Sequence, residues 1–380
     1  MFNVNNDWNY YPLIYILMCC IIFSLGFQFG DKIKLKNIKA KEMTESGQQY
    51  QTEYIKTIII LGIIAGFIYS ADLLRINGFS VRIALSDFRL VGNYFNNTRY
   101  FGEGEKTSTI GQICLTIYYS IFALGGLFHK RVPKMRKLII IAFIPGIFNM
   151  LCTTSKTVVI GPVFLWLSGW LVEKSLIGED KVFTDRGIKR LQGSIKYIVL
   201  VILAFYAIFQ SFVIRYGGTT YTNIYQRISV YALGHIPCFE TIFKRCNFTY
   251  TGEGFGYYTF RWVCDLIGIK SPVPSGTYNF GLNTAYGFTN VPTIFTDFIM
   301  DYGYFGALFE CVVLGIIVGV LYRNVNENSQ VIISLLGLSY YCILYSFLVN
   351  PMRYLTIVGA FVLLSVYLYV GKQLKVRSLN

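Results

Sequence analysis

The chain alternates between long apolar runs and shorter polar segments. Each apolar run is about 20 residues long, which is the length of helix that crosses a hydrocarbon core about 30 Å thick. A lone strand would leave its backbone polar groups unpaired in lipid, so these runs predict α-helices. The pattern therefore predicts an all-α fold, a polytopic membrane helical bundle with about nine transmembrane helices. The predicted spans are Tyr10–Phe29, Thr57–Leu74, Ile110–Phe128, Leu138–Cys152, Thr157–Val172, Tyr197–Ile214, Gly303–Tyr322, Val331–Val349 and Tyr354–Val370.

Composition agrees with a membrane protein. Of the 380 residues, 54% are hydrophobic and 14% are charged, whereas a soluble domain carries about 25% charged residues. We expect a single integral membrane domain over residues 1–380, with the first span retained because the N-terminus lacks the basic region of a signal peptide. The segment Ile228–Phe243 is apolar enough for an interfacial helix or a half-span. The number of transmembrane helices could therefore reach about eleven.

The basic residues predict the orientation of the spans. Most of the 34 lysines and arginines fall in alternate connections and at the C-terminus, which should therefore be cytoplasmic. The N-terminus, residues 75–109 and the long segment 215–302 should then be periplasmic. This asymmetry accounts for the net charge of +14, so we expect no nucleic-acid partner.

Arginine outnumbers lysine on the predicted periplasmic side, whereas lysine predominates on the cytoplasmic side. The positive-inside rule does not require this difference. Arginine keeps its charge and binds phosphate oxygens in a planar, bidentate manner, so the bias indicates an anionic ligand outside the membrane. Alternatively, these arginines contact lipid headgroups or extend from helix ends to the interface. The candidates for ligand binding are Arg89, Arg99, Arg215, Arg227, Arg245 and Arg261.

The long segment also carries candidate acids and bases. His235 could act as a general base near neutral pH, although a histidine beside a proline in an apolar helix can also be structural. Glu240 and Asp265 are the acids with the most favourable positions. Asp297 and Asp301 lie about one helical turn apart, where they could bind substrate or simply be hydrated and cap a helix. The sequence shows no metal-ligand spacing.

The chain resembles the Wzy-type O-antigen (oligosaccharide repeat-unit) polymerases. The resemblance rests on the number of spans, the dominant outer segment after the middle of the chain and the scattered outer arginines. It also rests on the sequence NVPTIFTDFIMDYGYFGALF, which enters the span after that segment. Arg245 and Gly256 match the shorter arginine-to-glycine spacing described for that family. This match implies a substrate-binding role for Gly256 as well as for Arg245.

The resemblance implies a glycosyltransferase of the bacterial inner membrane that needs neither metal nor cofactor. It would join repeat units linked to undecaprenyl diphosphate, on the periplasmic face, with Arg215, Arg227, His235 and Glu240 in catalytic roles. The remaining candidates would bind substrate, and a chain-length regulator protein would be a partner. An O-antigen ligase or a flippase of lipid-linked oligosaccharides stays an alternative, because sequence separates the first from a polymerase poorly. The absence of an evident internal repeat and the scarcity of intramembrane charge disfavour a transporter.

Overall fold

A computed structural model describes most of the chain. It leaves out residues 1–9, 36–44, 102–105, 131, 133–134, 178–205, 207, 215–227, 229–233, 247–251, 253, 270–281, 285–286, 290–292 and 378–380.

The described residues are predominantly helical. Helices α1 to α7 are Tyr11–Gly30, Glu45–Ile76, Val81–Ser86, Phe88–Phe101, Thr109–Leu127, Met135–Thr153 and Thr157–Ile177. Helices α8 to α12 are His235–Arg245, Arg261–Leu266, Ile294–Asn324, Gln330–Tyr345 and Leu355–Arg377. Residues 208–214 are also helical. A 3-10 turn covers Pro351–Arg353, and a small antiparallel hairpin pairs β1 (Leu282–Thr284) with β2 (Gly287–Thr289).

Seven of the described helices are long and apolar enough to cross a membrane. They are α1, α2, α5, α6, α7, α10 and α12, and each coincides with a predicted span. This confirms a helical protein with the pattern of a multi-pass membrane protein. Helix α11 has only 16 residues, because it ends at Tyr345 rather than at the predicted Val349. The count of about nine spans stays a prediction, since most of Tyr197–Ile214 lies outside the described residues.

The chain divides into two compact units. The first contains Met1–Lys39 and Thr220–Val358, and the second contains Ala40–Thr219 and Gly359–Asn380. The single domain predicted for residues 1–380 stays a prediction.

In the first unit, α1 packs against α10 through glycines spaced four residues apart. A Cβ atom on Gly26 would lie 2.5 Å from the Val312 carbonyl oxygen, and one on Gly30 would lie 2.2 Å from that of Ile316. The two backbones therefore touch, as small residues allow between membrane helices. At the other end of the contact, the Tyr15 hydroxyl donates to the Tyr304 carbonyl at 2.7 Å. Contacts progress in the same direction along both helices, so α1 and α10 run parallel and begin on the same side.

In the second unit, α5 lies between α2 and α7. A Cβ on Gly126 would lie 2.0 Å from the Trp166 carbonyl oxygen, and one on Gly169 would lie 2.1 Å from that of Ala123. Further along, the Lys130 amide donates to the Glu173 carboxylate at 3.0 Å. These contacts make α5 and α7 parallel, which is the relation that the predicted alternation of spans requires.

Among the described residues of the second unit, two charged side chains are buried: Lys156 is 1% exposed and Glu173 is 0% exposed. The span pattern puts both in polar connections. However, α7 continues to Ile177 and takes Glu173 into the packed interior. The Lys156 ammonium lies 3.8 Å from the centre of the Phe212 ring and donates to the Thr154 carbonyl at 3.3 Å.

The predicted periplasmic segment 75–109 is itself largely helical, since it contains α3 and α4. The Ser80 hydroxyl accepts from the Ile83 amide at 3.2 Å and so caps the start of α3. Arg89 and Arg99 both lie on α4. Arg89 is exposed, and the side chain of Arg99 lies outside the described residues.

Helix α10 is broken near its start. Gly303 has φ 67° and ψ −175°, which separates a short helical segment, Ile294–Tyr302, from the long apolar part that follows. Glycine adopts this left-handed φ without the steric penalty of a Cβ atom. The predicted span begins at Gly303, so hydropathy located the break, although it did not predict that the preceding residues are helical.

Candidate functional site

The segment Ile294–Tyr302 carries two buried acids. Asp297 is 0% exposed and Asp301 is 2% exposed. The alternative prediction, that these two carboxylates are simply hydrated at a helix start, is therefore wrong for both residues. The segment is held at its N-terminal end by the Ile294 amide, which donates to the Ser346 carbonyl at 2.9 Å.

Asp301 is enclosed by the described residues of the segment 252–260, which we call the glycine loop. The two Asp301 carboxylate oxygens accept hydrogen bonds from the Tyr258 amide at 2.9 Å and the Thr259 amide at 2.6 Å. The Phe255 amide donates to the Asp301 carbonyl oxygen at 3.3 Å. Successive backbone amides thus surround an anion, which is the geometry that turns offer to phosphate or carboxylate groups.

Glycine is needed in this loop for both conformation and space. Gly252 and Gly256 have φ values of +84° and +90°, and a Cβ on Gly254 would lie only 2.0 Å from an Asp301 carboxylate oxygen. The described part of the loop bends around the carboxylate of Asp301, and this is the role that the structure gives Gly256.

The connection between α11 and α12 meets the glycine loop from the other side. Asn350 is fully buried, and its side-chain amide donates to the Thr259 carbonyl at 3.3 Å while its oxygen accepts from the Met352 amide at 3.0 Å. One short polar connection therefore fixes both the end of the glycine loop and the turn that leads to Arg353.

Tyr354 brings the charged groups of this region together. Dense protein surroundings raise the pKa of the Tyr354 hydroxyl above its usual value through desolvation. Arg353 opposes this rise in pKa, Asp297 adds to it and Arg261 again opposes it. The Tyr354 side chain is nonetheless 49% exposed, so part of it is open to a ligand. We call Arg261, Asp297, Arg353 and Tyr354 the acid–arginine cluster.

Arg261 is the first residue of α9, and its side chain is 16% exposed. Its Nε atom lies 3.5 Å from the Asp265 carboxylate, one helical turn later, and its guanidinium lies 5.9 Å from the centre of the Tyr257 ring. Asp265 is 53% exposed. These contacts orient Arg261, which has five N–H donors in total.

His235 begins α8 and packs edge-on against Phe347, with the ring centres 5.8 Å apart. Burial lowers the pKa of His235 below its usual value, so the imidazole is neutral at pH 7. Its buried Nδ1 atom has no hydrogen-bond partner among the described residues. Glu240, on the same helix, forms an ion pair with Lys244 at 2.8 Å. The catalytic roles of His235 and Glu240 stay predictions.

Among the predicted site residues, Arg261 and Asp265 contact each other, and Arg261 and Asp297 both act electrostatically on the Tyr354 hydroxyl. Gly256 supports them through the glycine loop. Arg215 and Arg227 lie outside the described residues, and so does the side chain of Arg245, the last residue of α8. Arg89 and Arg99 belong to the second unit. For these five arginines the ligand-binding role remains a prediction.

Sequence reasoning missed Asn350, Arg353 and Tyr354. Arg353 is one of the arginines on the predicted periplasmic side. It lies in a four-residue connection between two predicted spans, and this position did not single it out as a site residue. The informative signal is the dipeptide Asn350-Pro351, since asparagine followed by proline favours a tight turn with a side-chain cap. A turn of that kind fixes the residues that follow it.

Within the part of the chain that the structure describes, no group of three or more His, Cys, Asp or Glu side chains is arranged to hold a metal ion. Cys238, Cys246 and Cys264 are free thiols.

Comparison with protein-family models gave no match. Comparison with curated proteins gave no match, and neither did comparison with solved structures.

Proposed function

We propose that this protein is a glycosyltransferase of the bacterial inner membrane that polymerises undecaprenyl-diphosphate-linked oligosaccharide repeat units. The observation that carries the proposal is the acid–arginine cluster. It combines a fully buried carboxylate with two arginines and a partly exposed tyrosine at the broken start of a long apolar helix. A substrate with a diphosphate and a polyprenyl chain needs both positive charge and membrane access.

The reaction would use the cluster as follows. The acceptor hydroxyl oxygen attacks the anomeric carbon of the donor glycan, and the bond from that carbon to the diphosphate oxygen breaks. The electron pair goes to the undecaprenyl diphosphate, where Arg261 and Arg353 would stabilise the growing negative charge. Asp297 would take the proton from the attacking hydroxyl, as a general base within the site.

Asp297 suits this role by residue type, because a carboxylate can accept a proton, and by its place at the broken start of α10. His235, neutral at pH 7, remains the alternative base.

Helix directions support a periplasmic location for the cluster. Helices α1 and α10 begin on the same side, and that is the side opposite to the lysine-rich connection after α1. Under the positive-inside rule that connection is cytoplasmic. The N-terminus and the cluster would then be periplasmic and the C-terminus cytoplasmic.

The proposed assembly contains lipid-linked glycans, membrane lipid and a chain-length regulator protein, with no nucleic acid. The catalytic roles of Arg215 and Arg227 and the substrate-binding roles of Arg89, Arg99 and Arg245 stay predictions.

Deletion of the gene tests this proposal. Surface glycans should then carry a single repeat unit on their core, and the wild-type gene should restore the polymer ladder. If no repeat unit reaches the core, the protein is assigned as a ligase or a flippase instead of a polymerase.

Complementation with Arg353→Lys tests the cluster itself. Lysine keeps the charge but loses the bidentate geometry, so polymer length should fall while the amount of protein in the membrane holds. Arg75→Lys is the matched control, because Arg75 is an outer arginine whose side chain is 76% exposed and pairs with Asp72. Equal ladders from the two variants would remove Arg353 from the site.

A further inference from the structure

Phe255 has an unusual combination of backbone conformation and exposure. Its φ is +45°, a left-handed value that a bulky L residue rarely adopts. Its side chain is 88% exposed, so no packing interaction compensates for the strain. A strained backbone at an exposed aromatic residue points to a functional contact.

The conformation is imposed by the glycine loop. The Phe255 amide donates to the Asp301 carbonyl oxygen, and the neighbouring Gly254 packs against the Asp301 carboxylate. Gly256, on the other side, also has a positive φ. The two flanking glycines and the buried aspartate thus hold the Phe255 ring outward.

Three more exposed apolar side chains follow at the end of α9 and directly after it. Leu266 is 67% exposed, Ile267 is 66% exposed and Ile269 is 50% exposed. The glycine loop continues into α9 through the Phe260 amide, which donates to the Gly256 carbonyl at 2.8 Å. A single large apolar residue on a surface is ordinary, but four within residues 255–269 call for a partner.

The partner follows from continuity with the membrane-spanning part of α10. Tyr302 links the two regions: its hydroxyl lies beside Gly256, and its Cβ lies against Gly306. Next to Gly306, Phe305 is 79% exposed, and one turn further Phe309 is 69% exposed. In a helix that crosses the membrane, such side chains face lipid. The apolar surface of α10 therefore leads directly to the glycine loop.

We propose that Phe255, Leu266, Ile267 and Ile269 form a lipid-docking surface that inserts into the bilayer at the boundary between headgroups and acyl chains. Aromatic and aliphatic side chains favour this depth, and the exposed Asp265 between them stays at the level of the headgroups. The partner is bulk phospholipid. The inference does not depend on glycosyl transfer, and it places Arg261 at headgroup level.

Photo-crosslinking tests the lipid-docking surface. The full-length protein carries p-benzoylphenylalanine in place of Phe255 or, in a second variant, Ile267, and is placed in nanodiscs of phosphatidylethanolamine and phosphatidylglycerol. Lys244, an exposed residue of α8 in the same unit, is replaced as the matched control. All three positions are exposed, so the variants should elute like the wild type.

After irradiation and digestion, the peptides that contain positions 255 and 267 should gain the mass of one phospholipid, and the control peptide should not. Unmodified peptides at both positions, or cross-links within the protein only, would overturn the proposal. Adducts with co-purified polyprenyl lipid but not with phospholipid would also overturn it, because they would assign the surface to a substrate groove.

Discussion

The interaction between Asp301 and the glycine loop gives the sharpest structural prediction. Asp301→Ala removes the acceptor for the Tyr258 and Thr259 amides, which are buried with it. A hydrogen bond to a charged group contributes about 1.5–3 kcal/mol, so the two bonds together contribute about 3–6 kcal/mol to the local stability of the loop. Water that enters the space left by the Asp301 carboxylate would reduce this loss of local stability.

Hydrogen exchange measured by mass spectrometry reports this local stability. Because about 1.4 kcal/mol corresponds to a factor of ten, exchange of the amides in residues 254–260 should become about 10²- to 10⁴-fold faster in Asp301→Ala. Asp301→Asn keeps one acceptor oxygen, so its effect should be smaller. Exchange elsewhere, for example in α5, should not change.

The control is Asp265→Ala. It removes an exposed carboxylate from the following helix, and an exposed ion pair contributes less than about 1 kcal/mol. Equal exchange in the wild type and Asp301→Ala, or equal acceleration in both variants, would show that Asp301 does not hold the glycine loop.

Two further predictions concern other parts of the first unit and the pH dependence of the whole chain. The Cys19 and Cys311 thiols contact each other between α1 and α10. Diamide should therefore oxidise them to a disulfide that mass spectrometry detects. A disulfide-linked pair of peptides that contain Cys20 and Cys311 would instead contradict the helix register. Burial lowers the pKa of His235, so the folded state disfavours its protonation and loses stability as the pH falls below about 6.5. His235→Phe should therefore flatten the decline of the thermal unfolding temperature between about pH 7 and 5. His129→Phe is the parallel variant, since burial and nearby basic residues lower the pKa of His129 to about 4. An unchanged decline of the unfolding temperature with falling pH in His235→Phe would refute the burial of His235.

The long spans could be predicted because their signal is local. The predicted Ile110–Phe128 and the observed Thr109–Leu127 differ by one residue at each end, since hydropathy alone defines the helix in lipid. The break at Gly303 also coincides with a predicted boundary. Hydropathy predicted the end of a helix wrongly where a buried polar group lies within the helix. Glu173 follows the end of the predicted apolar run, yet it is packed within α7 against the Lys130 amide.

The site could be predicted only in part. Arg261, Asp265 and Asp297 were identified from residue type and predicted side, which is information that a single sequence contains. Which groups pair depends on contacts between distant residues. Asp301 binds the Tyr258 amide 43 residues away, and Asn350 binds Thr259 91 residues away. No local pattern in the sequence encodes either contact, and the same glycines would suit a phosphate or a carboxylate.

Reconstitution in liposomes tests the proposed polymerase activity. Purified protein in liposomes is given a defined repeat unit on undecaprenyl diphosphate, and the lipid extract is analysed by mass spectrometry. We expect lipid-linked dimers and longer oligomers together with released undecaprenyl diphosphate, and none of these from a correctly eluting Asp297→Asn variant. Unchanged monomer with the wild type, or the same oligomers with Asp297→Asn, would contradict it.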